Sequence, residues 1–222
     1  GPMKSPSTKC PRSPARWLSI PTRSVKSCAR ADGLVKIEPN FEGLADNYSI
    51  NRPQYPQRLL GELNGLLGNG PLLAIDVASG TGISTRAVAR ALGDRAQIIG
   101  VEPSEDMRRR AAEDTPREAS IRYQEGRAEA LTFDDGSLDL IFVGQALHWF
   151  DRPAFYAEAG RVLKPGGVVA IACNTRNWRK SAFVSEYEAF HEKYLPGFSR
   201  DERERAATLC PEIVLRCSAH PC

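Results

Sequence analysis

The sequence predicts an α/β fold, a doubly wound and mostly parallel sheet with helices on both faces. Three observations predict it. Strand-like and helix-like patterns alternate from Leu72 to Ala172. The strand segments are short continuous apolar runs, which suit strands buried on both faces. The first of them enters a glycine turn, Ser79-Gly80-Thr81-Gly82, that opens a helix. Parallel strands joined by right-handed crossovers place their ligands at the carboxyl ends of the strands.

The elements follow in order. Ala45 to Pro56 reads as a loop leading into a helix, with Pro56 suited to its first turn. Leu59, Leu60, Leu63 and Leu66 then recur at helical spacing until Gly68-Asn69-Gly70 stops the segment. Leu72 to Ala78 is the first strand, Ile83 to Leu92 a helix, Gln97 to Glu102 the second strand, and Ser104 through Glu113 a helix. Ile121 to Gln124 and Leu138 to Val143 are further strands. Arg152 to Leu163 is helical, and Val168 to Ala172 is a strand after the turn Lys164-Pro165-Gly166-Gly167.

Size and charge bound the rest. The 222 residues suit one domain, over 37–205, between a disordered basic arm at 1–36 and an irregular tail at 206–222. Gly1-Pro2 ahead of Met3 reads as the scar of a cleaved tag. No apolar run reaches the roughly 18 to 20 residues of a membrane span. Seven of the 30 Lys+Arg precede Asp32 and no acid does, which leaves 23 against 27 Asp+Glu, so the body is acidic despite a net charge of +3. An acidic body argues against a nucleic-acid groove. The arm's composition also overlaps with organelle transit peptides, although its prolines interrupt any amphipathic helix; a plain flexible tail on a cytoplasmic protein is the expectation. Cys10, Cys28, Cys173, Cys210, Cys217 and Cys222 contain no CxxC pair, so a reducing compartment is expected. Cys217, His220 and Cys222 match no common metal site, and no metal is expected.

The chemistry concentrates at Asp76-Val77-Ala78-Ser79-Gly80-Thr81-Gly82. Glycines there let the backbone turn tightly and a ligand approach closely. Glu102, at the end of the next strand, lies 20 residues beyond Gly82, where a carboxylate can accept both hydroxyls of a ribose. The loop lacks the Lys and Ser/Thr of a phosphate-binding Walker loop and the third glycine of the dinucleotide fingerprint. An adenosine-containing cofactor without a bound pyrophosphate is the expectation, and a nicotinamide-dependent oxidoreductase is disfavoured.

Leu73 to Gly82, Ile98-Ile99-Gly100-Val101-Glu102-Pro103-Ser104, Gly126-Arg127-Ala128-Glu129-Ala130-Leu131 and Arg161-Val162-Leu163-Lys164-Pro165-Gly166-Gly167 resemble four successive motifs of the class I S-adenosylmethionine-dependent methyltransferases, in that family's order and spacing. The resemblance covers Phe41 to Thr175. Tyr48, Arg52-Pro53, Tyr55-Pro56 and Ala146 to Asp151 are similar to the small-molecule, trans-aconitate-type branch.

The resemblance implies a Rossmann-like fold, S-adenosylmethionine as cofactor and a small-molecule acceptor methylated at oxygen. It implies that Asp76, Ala78, Gly80 and Gly82 surround the methionine part of the cofactor, that Glu102 binds the ribose, and that Pro103, Ser104 and Met107 flank the adenine. Ala128 and Glu129 would lie at the adenine edge, and Gln145 with Ala146 would close the site beneath the sulfonium. Arg52 would meet the cofactor carboxylate, with Tyr48 beside the cofactor. Where the family often carries Gly-Cys this chain has Ala78-Ser79, both small.

His148 is the candidate general base, with a packed or solvated histidine as the bland alternative. Trp149 and Tyr55 are candidates for the acceptor pocket, although Phe150 suits the core and Tyr48 and Tyr55 could simply pack the entry segment. A cofactor-binding protein or cyclase that performs no methylation is the second functional class. Phe183 to Tyr194 offers one helix. Family members usually finish with two further strands; Ile213-Val214-Leu215 could make one short strand, but Pro211, Pro221 and the Cys-rich ending do not read as the missing pair. The sheet is therefore expected to be incomplete at its carboxyl end, with an open edge that a homodimer would cover.

Overall fold

The computed structural model describes residues 17–18, 45, 54–117, 119–173, 178–200 and 213–217. Strands run at Trp17–Leu18 (β1), Leu72–Val77 (β2), Ala96–Val101 (β3), Ile121–Gln124 (β4), Leu138–Gly144 (β5), Leu163–Ala172 (β6) and Ile213–Cys217 (β7). Helices run at Gln57–Leu66 (α1), Ile83–Leu92 (α2), Glu105–Glu113 (α3), Arg152–Val162 (α4) and Ala182–Tyr194 (α5), with single 3-10 turns at Leu147–Trp149 and Trp178–Lys180. They form one seven-stranded sheet in the order β1-β7-β6-β5-β2-β3-β4. The strands β2 to β6 are parallel, as expected, and β7 is antiparallel to both its neighbours.

Alternation along the strands builds two cores. Ile75, Val77, Leu138, Ile141 and Val143 face one side, where Phe155, Ala159 and Val162 of α4 cover them. Ala74, Leu140 and Phe142 face the other, against Leu60 and Leu63 of α1 and Ala87, Val88 and Leu92 of α2. Both faces are dry, which is why the strand sequences read as unbroken apolar runs.

Two expectations are corrected. The carboxyl-terminal tail holds β7, whose residues Ile213 to Arg216 pair with Ile171 to Val168 of β6. The outermost position is taken by β1, from within the amino-terminal arm, through Trp17↔Cys217 and Leu18↔Arg216. The edge of β6 offers a row of backbone donors and acceptors, and a short β-branched run such as Ile213-Val214 satisfies it from a distant part of the sequence. β6 itself starts at Leu163 rather than Val168, because the Pro-Gly-Gly segment stays in the strand through an irregularity in register beside Leu138 and Leu140.

Among the described residues, no helix is long and apolar enough to cross a membrane, and no group of three metal-ligating side chains occurs. Residues 218–222, including His220, lie outside the described set, as do Tyr48 and Arg52.

Candidate cofactor and acceptor site

The winding direction reverses between β2 and β5. From β2 the chain moves through α2 to β3 on one side, and from β5 through α4 to β6 on the other. The carboxyl ends of these adjacent strands leave a crevice that neither connection covers, the place where open α/β sheets bind ligands. The predicted residues of 76–82 and 144–149 meet there.

Both strand ends are unusual in backbone. Ala78 (φ 56°) and Gln145 (φ 58°) are the two non-glycine residues with positive φ among those described, and each directly follows one of these strands. An L side chain in this region costs about 1–2 kcal/mol. The replacement of the family's glycine by Ala78 is therefore conservative in size but not in conformation. Gly80 (φ 54°) and Gly82 (φ 78°) carry the turn onward without that cost, and Gly82 caps the start of α2.

Glu102 organises the second strand end. It is 7% exposed, and its two oxygens accept the backbone N–H groups of Gly80 and Ser104, each at 3.0 Å. One carboxylate thus clamps the glycine turn to the start of α3. Arg108 Nη1 donates to the carbonyls of Glu102 at 2.7 Å and Pro103 at 2.8 Å, which fixes this turn from outside. The Ser104 hydroxyl caps α3 by accepting from the Met107 N–H, Met107 is buried beneath the helix, and Pro103 is exposed.

Asp76 lies fully buried in β2. Its Oδ2 accepts from Ser84 Oγ at 2.7 Å and Thr85 Oγ1 at 2.6 Å, tying the strand to the first turn of α2. Burial, with a smaller contribution from the nearby Glu102 charge, raises its pKa to about 6 against the lowering effect of the two hydroxyls. Because the folded pKa is raised from 3.8, the contribution to stability is complete below that value and is lost as pH rises through about 6. We expect Asp76→Asn to gain on the unmodified chain by about 2 kcal/mol between pH 4 and pH 7. Urea denaturation of both chains at the two pH values measures this, and parallel pH profiles would refute it.

The loop between β4 and β5 is held at both ends. Leu131 N–H donates to Glu158 at 2.9 Å, while Arg161 donates to the carbonyls of Leu131 at 2.7 Å and Phe133 at 2.8 Å and pairs with Glu158. The Arg161 guanidinium holds the Glu158 carboxyl below its ordinary pKa. Ala128 is buried in the core, and the Glu129 carboxylate accepts the Asp151 N–H at 2.9 Å, joining this loop to the start of α4. On the β5 side, Ala146 is buried and Leu147–Trp149 forms the 3-10 turn. His148 and Trp149 are exposed at its tip with ring centroids 4.6 Å apart, while Phe150 packs on Phe155 in the core. Tyr55 stands over Gly144, where any Cβ would overlap its hydroxyl, and its ring meets Phe142 edge-on at 5.7 Å.

Four buried polar atoms at these strand ends have no hydrogen-bond partner: Asp76 Oδ1, Ser79 Oγ, Thr81 Oγ1 and Gln145 Nε2. Only one other such atom, on Trp178, occurs among the described side chains. Native interiors leave few polar groups unsatisfied, so a concentration of them in one crevice marks a ligand site. The donor set fits S-adenosylmethionine. Carboxylates suit an ammonium and a ribose diol, and the Gln145 amide with the Ser79 and Thr81 hydroxyls suits a carboxylate. Sequence reasoning missed Ser79, Thr81, Ser84 and Thr85 as polar partners of this crevice; their position beside the glycine turn was the available signal.

Comparison with known proteins agrees with this geometry. The family described as "Methyltransferase domain" matches residues 75–171. Residues 75–171 thus carry a methyltransferase domain of the class I S-adenosylmethionine-dependent type. It is 31% identical over 154 residues to an uncharacterized methyltransferase of Mycobacterium bovis, covering 69% of this chain and 58% of that protein. It is 32% identical over 128 residues to the demethylmenaquinone methyltransferase of Staphylococcus carnosus, covering 57% and 53% respectively. The chain thus spans about half the length of the curated relatives it matches. A Methanococcus maripaludis structure assigned to the S-adenosyl-L-methionine-dependent methyltransferases shares its fold, with a TM-score of 0.57 at 18% identity over 86% of this chain and 99% of that one. S-adenosylmethionine is the cofactor of this methyltransferase class.

Proposed function

We propose that this chain catalyses methyl transfer from S-adenosylmethionine to a small-molecule acceptor, at oxygen. The observation that carries the cofactor half is the cluster of unpartnered buried polar atoms beside Glu102. The acceptor half is supported by the exposed His148–Trp149 pair at the rim and by the small-molecule substrate named for the Staphylococcus carnosus relative. The acidic body gives no basic track for a nucleic acid.

In this reading Glu102 binds the ribose and the 76–82 turn, with Asp76, Ala78, Gly80 and Gly82, surrounds the methionine part. Pro103, Ser104, Met107, Ala128 and Glu129 bound the adenine side, and Gln145 and Ala146 form the floor. Tyr48 and Arg52 complete the methionine end. The cofactor supplies an already activated methyl group, so the protein's task is alignment and exclusion of water. Tyr55, packed over Gly144, and Trp149 present aromatic surface to an acceptor. His148 takes the acceptor's proton when a hydroxyl is methylated; a carboxylate acceptor needs no base.

The test is incubation of the chain with S-adenosylmethionine and a panel of small hydroxyl and carboxylate acceptors, read by S-adenosylhomocysteine release and by the acceptor's gain of one methyl group. Both signals are expected with at least one acceptor. Tight S-adenosylhomocysteine binding without turnover on any acceptor would instead favour the non-methylating class.

A further inference from the structure

Helix α5 is mounted with its apolar side outward. Phe183, Tyr187, Phe190 and Tyr194 follow each other at spacings of four, three and four, so they form one stripe along three turns. They are 76%, 39%, 59% and 56% exposed, whereas Glu188 on the opposite side is 2% exposed. Glu192, also on that back side, pairs with Arg200. An amphipathic helix ordinarily buries its apolar stripe, whereas here the stripe is exposed along with Glu186, Glu192 and Lys193, and Glu188 is the buried residue.

We infer that this stripe is the docking surface for a second copy of the chain, joined as an antiparallel helix pair across a two-fold axis. The spacing is that of a coiled-coil seam, with the four aromatics at the alternating seam positions and Glu186 and Lys193 at the two flanking positions of one edge. A two-fold axis through the middle of the stripe, between Tyr187 and Phe190, keeps that edge on the same side and reverses its direction. Glu186 of each copy then stands beside Lys193 of the other, so the symmetric pairing brings opposite charges together twice. A parallel pair would not: it places Glu186 and Lys193 of the two copies on opposite sides of the seam.

The apolar surface available is moderate. At about 200 Å² for a whole aromatic side chain, the exposed parts amount to roughly 500 Å² per chain and roughly 1,000 Å² for the pair. That is the lower end of specific interfaces, so the dimer is reversible and forms with rising concentration. It also differs from dimerisation through an open sheet edge, since β7 and β1 occupy the edge of β6.

Sedimentation velocity of the full chain across the micromolar range tests the inference. A monomer–dimer equilibrium is expected, with Phe190→Glu raising the dissociation constant more than tenfold. Glu186→Lys and Lys193→Glu should each weaken the dimer several-fold, and the double charge swap should restore it. Because these charged positions lie on the surface of a single helix, circular dichroism is expected to be unchanged and keeps the comparison valid. A chain that stays monomeric throughout, a dimer indifferent to Phe190→Glu, or a double swap no better than its single parents would each overturn the assignment.

Discussion

Glu102→Ala is expected to weaken S-adenosylhomocysteine binding by roughly a hundredfold or more. Two effects combine. The carboxylate offers charge-assisted acceptance to a ribose diol, and such hydrogen bonds contribute about 1.5–3 kcal/mol each. The same oxygens hold Gly80 and Ser104, so removing them releases the glycine turn from the start of α3. Glu102→Gln separates the contributions, because the amide oxygen can still accept one backbone N–H while the charge is lost. Its binding should fall between the two. Titration calorimetry of the three chains measures the effect, with thermal melting to show that each is folded. Unchanged binding in the alanine variant would remove Glu102 from the site and with it the main reason for placing the ribose there.

How much of this site was legible follows from what single residues can signal. The β2–α2–β3 unit was readable because its strands are dry on both faces and its turn is built of glycines, and helix α2 runs from Ile83 to Leu92 as its periodicity predicts. The second strand was shifted by only one residue, to Ala96–Val101. The positive φ of Ala78 and Gln145 was not readable, since neither residue type announces it; only the neighbouring strand ends impose it. Ile213-Val214-Leu215 was readable as a short strand, but its partners β6 and β1 were hidden for a related reason. A short apolar run such as Ile213-Val214-Leu215 becomes a strand when a free edge is presented to it, and that edge lies more than 40 residues away in sequence. Helix α5 shows the same limit from another side: its period was evident, but an aromatic stripe is normally the buried one, so the outward mounting could come only from the structure.

Gly82 is where the fingerprint glycine has a reason independent of any ligand. A Cβ built on it would overlap the Tyr123 hydroxyl and lie 2.9 Å from Tyr123 Cζ and 2.8 Å from Arg86 Nη1, at a residue whose φ is 78°. Gly82→Ala is therefore expected to destabilise the chain by about 3 kcal/mol, combining about 1–2 for the left-handed backbone with about 1–3 for overpacking. Arg86 Nη1 donates to the Thr81 carbonyl at 2.9 Å, and Tyr123 is held at its hydroxyl by Thr115 at 2.9 Å and packs against Gly100, so neither yields freely. Adding Tyr123→Phe removes the closest atom and leaves Cζ in place. The double-mutant cycle, read by urea denaturation, should then show a favourable coupling of about 1 kcal/mol, with the backbone cost unrelieved. A loss under about 1 kcal/mol in the single variant would mean that the turn relaxes freely, and a coupling of zero would mean that Tyr123 is not what excludes a side chain at this position.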